Sequence, residues 1–344
     1  MFTWTDDPYQ TMWGHLRLLS HEHNARQLLS GKLGKQRYLA PPGPDLLDRK
    51  AAQVSYCILQ AHEYYKAAEA VTIHTSPLLY FYGMLSLAKA VIVANDPVKL
   101  LDDVKYHGLK YDRASGRAST LEDRTALLSG GVFDELTGVI CNFRYPRGAV
   151  FRLKDVLSIS PELAQVYELY YGEPSRTLYS YAARVLSSDP YLVELWVTVP
   201  DASDAFEHIP ELAEFLEPAQ SLVHGQAVRL TPKPGVLFPK DLIKEYLPVV
   251  GGKYVVGGLL YACQGSPSSR YLTPPLADYI AMYILSDCVR YQQDLWGSIV
   301  QGKTTGALGL VDLFIAVSKR RYPNLILDQL FGERFEYGSP GRLM

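Results

Sequence analysis

Along much of this chain apolar residues recur every three or four positions, and that rhythm predicts a mostly helical protein. From Tyr9 to Leu29 the positions Met12, Leu16, Leu19 and His23 trace one amphipathic helix, ended by Gly31 and Gly34. The prolines of Ala40–Leu47 cannot continue it, because proline lacks the amide donor and clashes with the preceding turn. From Asp48, a plausible N-cap, Ala51, Val54, Ile58, Ala61, Tyr65 and Ala68 step along one helix face. Ser76-Pro77 starts a second helix with Leu78, Phe81, Leu85, Ala88 and Ile92, stopped by Asn95-Asp96-Pro97. The two form a helical hairpin over Ala51–Ala94, whose second member is apolar nearly all round and is therefore expected at the centre of the fold.

Beyond the hairpin the rhythm weakens. Asp102–Gly148 reads as irregular, including the charged run Asp112–Arg117, with one short helix over Leu121–Leu128. Helices are expected from Pro161 and over Ser175–Leu186. Then Tyr191–Val199 alternates as a strand does, and LPVV and KYVV flank Gly251-Gly252 as a hairpin would, with a further strand at Ala227–Leu230. A long helix follows Thr273-Pro274-Pro275, its stripe running through Leu276, Ile280, Tyr283, Ile284, Cys288, Tyr291 and Leu295. Gly302–Gly309 interrupts, a last helix covers Leu310–Arg320 ahead of Pro323, and the tail from Gly332 is expected to fray.

These elements imply a mainly α (α+β) fold: a helical bundle around the hairpin with a small antiparallel β insertion. The organisation expected is one compact unit over 1–344. Within it lie an N-terminal helical part with its loop (1–150), a mixed α/β insertion (151–272) and C-terminal helices that complete the bundle (273–335).

Composition narrows the function classes. Thirty-four Lys and Arg against thirty-six Asp and Glu leave no global field to steer the protein to DNA or an anionic membrane. The start lacks the pattern of a signal peptide, and no uninterrupted apolar run reaches the roughly 18 residues of a membrane span, so a cytoplasmic location is expected. Cys57, Cys141, Cys263 and Cys288 lie far apart without zinc spacing, so reduced thiols and no metal site are expected. Twenty-five tyrosines against eleven phenylalanines are unusual. They read first as core residues with hydrogen-bonded edges.

Several segments together resemble one family. QAHEYYKAAE (Gln60–Glu69), PLLYFYGMLSLAKA (Pro77–Ala90), His107-Gly108-Leu109, YILSDCVRYQQDLW (Tyr283–Trp296) and RRYPNLIL (Arg320–Leu327) resemble the YaaC-like bacterial family, in the same order along the chain. The resemblance implies a cytoplasmic bacterial protein. It transfers no reaction, cofactor or catalytic residue.

The candidate chemistry is sparse. His107 and Gly108 stand in a polar loop, where histidine can act near neutral pH and glycine permits close approach of a ligand. Asp287, Arg290, Tyr291 and Asp294 lie on the long C-terminal helix, where Arg290 is spaced to pair with either acid as a structural clamp or to hold a phosphate or carboxylate. With Tyr82 from the hairpin, His107, Gly108, Arg290 and Tyr291 make the expected ligand-binding set. Arg17 and His23 match the Arg-x4-6-His spacing of HEPN-type ribonucleases, which cut RNA without metal. Lys303-Thr304-Thr305 lacks the earlier glycine of a phosphate loop, and no standard hydrolase or zinc-protease motif occurs.

The expectation is a binding and regulatory protein for a small anionic ligand, such as a metabolite or nucleotide, or for a protein partner or a second copy. The alternative is a HEPN-like ribonuclease of a toxin or defence system, with Arg17 and His23 catalytic; RNA is a partner only there. No cofactor, DNA or membrane is expected.

Overall fold

The computed structural model describes residues 1–34, 42–111, 120–141, 144–188, 191–198, 202–210, 212–219, 227–237, 249–250, 253–257, 260–261, 270–303 and 307–338. The charged run 112–117, Cys263 and residues 304–306 lie outside them. The protein is mainly α with an antiparallel β insertion. It divides into two compact units, one made of Met1–Leu153 with Asp278–Met344 and the other of Lys154–Ala277.

The first unit opens with strand β1 (Phe2–Trp4) and helices α1 (Pro8–Leu18) and α2 (Glu22–Leu33). One helix was expected over Tyr9–Leu29, and there are two. Leu19 and Ser20 turn their amides back to Leu16 and Arg17, and the Asn24 side chain takes the Leu18 carbonyl at 2.8 Å. Polar side chains thus close the first helix within its own apolar stripe.

The hairpin follows as α3 (Pro44–Glu69) and α4 (Ser76–Asn95). α3 starts four residues before the expected Asp48, because proline in a first turn has no donor to lose; Asp48 pairs with Arg26 instead. α4 is long and apolar enough to cross a membrane by length and composition, with mean hydropathy 1.6, and 72% of that window is buried inside the protein. Two features lock the hairpin. A Cβ on Gly83 would lie 2.5 Å from Cδ2 of Tyr65, so the missing side chain is what lets that ring sit against α4. At the far end, the buried Lys50 ammonium donates to the carbonyls of Val93 (3.1 Å), Asp96 (2.7 Å) and Lys99, capping α4 where its own donors run out.

After the hairpin come β2 (Leu109–Tyr111), β3 (Thr125–Leu128), α5 (Val132–Cys141) and β4 (Val150–Arg152). The short helix expected over Leu121–Leu128 is absent. Thr125–Leu128 alternates buried and part-exposed positions and forms the middle strand of an antiparallel β2-β3-β4 sheet, with Leu109 opposite Leu128 and Ala126 opposite Phe151.

The inserted unit runs through α6 (Leu153–Ser158), α7 (Ala164–Tyr171), β5 (Thr177–Ser188), β6 (Tyr191–Thr198), α8 (Ala202–His208) and α9 (Leu212–Phe215). It continues with β7 (Leu216–Pro218), β8 (Ala227–Pro232), β9 (Val249–Val250), β10 (Lys253–Gly257), β11 (Leu260–Tyr261) and β12 (Arg270–Tyr271). Its main sheet has the order β7-β8-β6-β5-β10-β9, with every pairing antiparallel. The helix expected over Ser175–Leu186 is the long strand β5. Register shifts at Ser180/Ala182 and Val185/Ser187 interrupt its alternation, which is why its period of two is hidden in the sequence.

The chain closes with α10 (Pro274–Tyr291), α11 (Gln293–Val300), α12 (Ala307–Phe331) and β13 (Glu336–Gly338). The expected single stripe from Leu276 to Leu295 breaks at Gln292. Pro323, expected beyond the last helix, sits buried inside α12, where Tyr322, Ile326, Leu327 and Leu330 hold the helical path. Arg321 on α12 grips Asp278 on α10 with two hydrogen bonds, of 3.0 and 2.6 Å. The tail does not fray at Gly332: β13 pairs in parallel with β1, Phe2 opposite Glu336, and the Phe335 amide is held by Asp328 at 2.8 Å.

Candidate functional site

The first unit assembles its polar groups around the loop before β2. His107 is fixed there by its main chain. Its carbonyl accepts the Tyr279 hydroxyl of α10 at 2.8 Å and the Phe133 amide of α5 at 3.2 Å, while Nδ1 faces the Leu109 amide at 3.4 Å. The ring packs on Tyr283, one turn further along α10, at 5.2 Å between centroids, and edge-on to Phe81 of α4 at 6.2 Å. Burial and the positive charge of Arg290 both hold the imidazole below its ordinary pKa, so it is neutral at pH 7.

Gly108 has φ +94°, and a Cβ there would meet the Phe133 amide nitrogen at 2.5 Å and the Gly130 carbonyl at 2.6 Å. Its freedom serves the packing of the loop on α5 rather than a ligand's approach.

Arg290 extends from the last turn of α10. Its Nε donates to the Ser286 carbonyl at 3.2 Å and its guanidinium lies 4.9 Å from the ring centroid of Tyr291, which is 65% exposed. The clamp expected with Asp287 and Asp294 is not formed: among the described residues neither acid comes within ion-pair distance of Arg290. The Asp287 carboxyl is buried, and desolvation lifts its pKa against the opposing pull of Arg290 and Arg124. Burial likewise raises the Tyr283 hydroxyl.

Arg124 is the residue that the sequence reading missed. It lies just before β3 in a polar stretch with no pattern to mark it. Its amide donates to Leu121 and its carbonyl accepts from Leu153, and the guanidinium stands 5.3 Å from the Tyr111 ring centroid. The side chain is 2% exposed, and among the described residues Nε and Nη1 have no hydrogen-bond partner. Its charge acts on Asp287 and Cys288 of α10.

His107 packs on Tyr283 and lies within electrostatic reach of Arg290, and Asp287 lies within reach of both Arg290 and Arg124. Tyr291 lies at the exposed edge. Tyr82 does not join: it stacks on Tyr64 of α3 at 5.5 Å. Arg17 and His23 fall on successive helices, α1 and α2, both exposed, with His23 turned to Gln27 at 3.0 Å. Among the described residues no group of three His, Cys, Asp or Glu could hold a metal. A separate cavity of about 300 Å³ opens beside the α3–α4 turn; of its charged lining residues Glu69, Asp312 and Lys319, Glu69 and Lys319 approach to 3.9 Å, and none of the site residues lines it.

The YaaC-like protein family model matches residues 17–330, nearly the whole chain. This chain belongs to the YaaC-like family. The match spans the hairpin, the His107 loop, the insertion and the C-terminal helices alike. No curated protein and no solved structure matches it. What YaaC-like architecture can do is therefore argued from the side chains themselves.

Proposed function

We propose that this YaaC-like protein is a cytoplasmic binding and regulatory protein that takes a small anionic ligand at the His107–Arg290 cluster. The observation that carries the reading is the position of Arg290, whose charge reaches His107, Tyr283 and Asp287 while no carboxylate of the described residues pairs with it. A cation held beside aromatic rings and a neutral imidazole, with no carboxylate of the described residues in ion-pair contact, is suited to an incoming anion. The cluster offers no nucleophile activated by a base, which favours binding over catalysis. The ribonuclease reading asks for Arg17 and His23 on one helix face, and the break after α1 gives it no support.

The test is a thermal-shift screen of the full chain against anionic metabolites and nucleotides, with hits measured by calorimetry. His107→Ala and Arg290→Ala should each weaken a genuine hit at least about tenfold, the scale of one charge-assisted hydrogen bond. Hits unchanged in both variants would reject the site.

A further inference from the structure

Arg124 poses a physical problem that the fold around it does not solve. A guanidinium is always charged and carries five N–H donors, and burying it without acceptors is among the costliest arrangements in a protein. It stands over the Tyr111 ring, 5.3 Å from the centroid, but a ring accepts no ordinary N–H hydrogen bond, and among the described residues Nε and Nη1 are unbonded in a side chain only 2% exposed. The backbone of Arg124 is pinned through Leu121 and Leu153, which fixes where its side chain starts. Asp287, an acid its charge acts on, forms no ion pair with it among the described residues and is shared electrostatically with Arg290.

We infer that Arg124 is the buried anchor of a phosphoryl-binding site whose mouth is formed by His107 and Arg290, and that its ligand carries a phosphate or phosphomonoester dianion. This rests on the anion-binding reading above and adds the anchor and the chemical class. Two guanidinium groups supply two positive charges. Burial raises the pKa of the Asp287 carboxyl, and its one charge at most is outweighed by the two guanidinium groups. A dianion with several acceptor oxygens satisfies both arginines at once, where a single carboxylate leaves one uncompensated.

The experiment titrates the full-length protein with inorganic phosphate, ribose 5-phosphate and acetate at pH 7.5, by calorimetry and thermal shift, in wild type, Arg124→Met, Arg290→Ala, His107→Ala and Asp287→Asn. Wild type should bind a phosphoryl probe and acetate far more weakly. Inorganic phosphate binding as tightly as ribose 5-phosphate identifies free phosphate as the source; tighter binding of the ester identifies a phosphomonoester. Arg124→Met should melt no lower than wild type without ligand, because it removes an unpaired buried charge, and should weaken phosphoryl binding by about thirtyfold or more. If that variant fails to fold, Asp287→Asn decides: it should bind the phosphoryl probes as tightly as wild type or several-fold tighter.

Phosphoryl affinity retained in Arg124→Met, or lost in Asp287→Asn, overturns the anchor. If affinity persists in Arg124→Met but disappears in Arg290→Ala and His107→Ala, the wider anion reading stands and only the anchor falls. Acetate binding as tightly as phosphate overturns the class. No binding of any anion overturns both.

Discussion

The hydroxyl of Tyr279 donates to the carbonyl of His107 at 2.8 Å, so a residue of α10 sets the position of a loop that precedes it by 172 positions. Tyr279→Phe keeps the ring, which stacks on Phe133 at 5.7 Å, and removes only that bond. The His107 carbonyl retains the Phe133 amide, so the expected loss of stability is about 1 kcal/mol. Anion affinity should fall as well, because the loop loses its tie to the helix that carries Arg290. Urea unfolding and calorimetry on the same variant check both.

The acid side of the pH profile belongs partly to His107. Its folded pKa lies below the ordinary value of 6.5, so the folded state binds fewer protons there than the unfolded chain. Its contribution to stability is complete above pH 6.5 and is lost as pH falls towards the folded value. Anion binding should run the other way. As pH falls below the ordinary imidazole value, protonation of His107, which faces Tyr283 and Arg290, adds positive charge and favours an anion, and the raised pKa of Asp287 works in the same direction. Affinity for sulfate should therefore rise in wild type and rise less in His107→Gln; an identical slope in the two would remove His107 from the site.

Lys50 gives a prediction on the alkaline side. Burial pushes its pKa down to about 8 while its ammonium holds three carbonyls at the end of α4. The folded state thus binds its proton less tightly than the unfolded chain, and stability from this group increases as pH rises from about 8 to 10.5. Lys50→Met should lack that increment and, at pH 7, lose about 2 kcal/mol by stranding three carbonyls. Denaturation midpoints at pH 7 and pH 10 measure both effects.

The hairpin separates space from hydrogen bonding. Gly83→Ala forces a methyl against the Tyr65 ring and should cost about 2 kcal/mol. Tyr65→Phe should instead be neutral or stabilise by up to about 1 kcal/mol, because the Tyr65 hydroxyl is buried without a partner among the described residues. Tyr65→Phe melting well below wild type would mean that the hydroxyl is satisfied in solution.

The sequence made the hairpin legible because one periodicity runs through α3 and α4, and Ser76-Pro77 marks the start of the second helix. Local signals also located β6 and the Val249–Val250/Lys253 hairpin. β5 was read as helix because its bulges break the alternation, and the α1–α2 break was missed because Ser20 and Asn24 act through side-chain caps that leave the apolar spacing intact. At the site, His107 and Arg290 stood out by residue type and motif. Arg124 did not, because what distinguishes it is burial near residues far away in the chain. Tyr82 was chosen for its ring, and its ring faces Tyr64 instead.

The parallel pairing of β1 with β13 has a consequence for biosynthesis. Phe2 cannot meet Glu336 until almost the whole chain has left the ribosome, and Asp278 and Arg321, which join α10 to α12, also lie beyond the 124-residue insertion. During translation α3 and α4 must wait with apolar faces uncovered while Lys154–Ala277 is made, a unit free to collapse first. The surface of α4 that α12 covers in the finished fold is therefore left open while the insertion is being made.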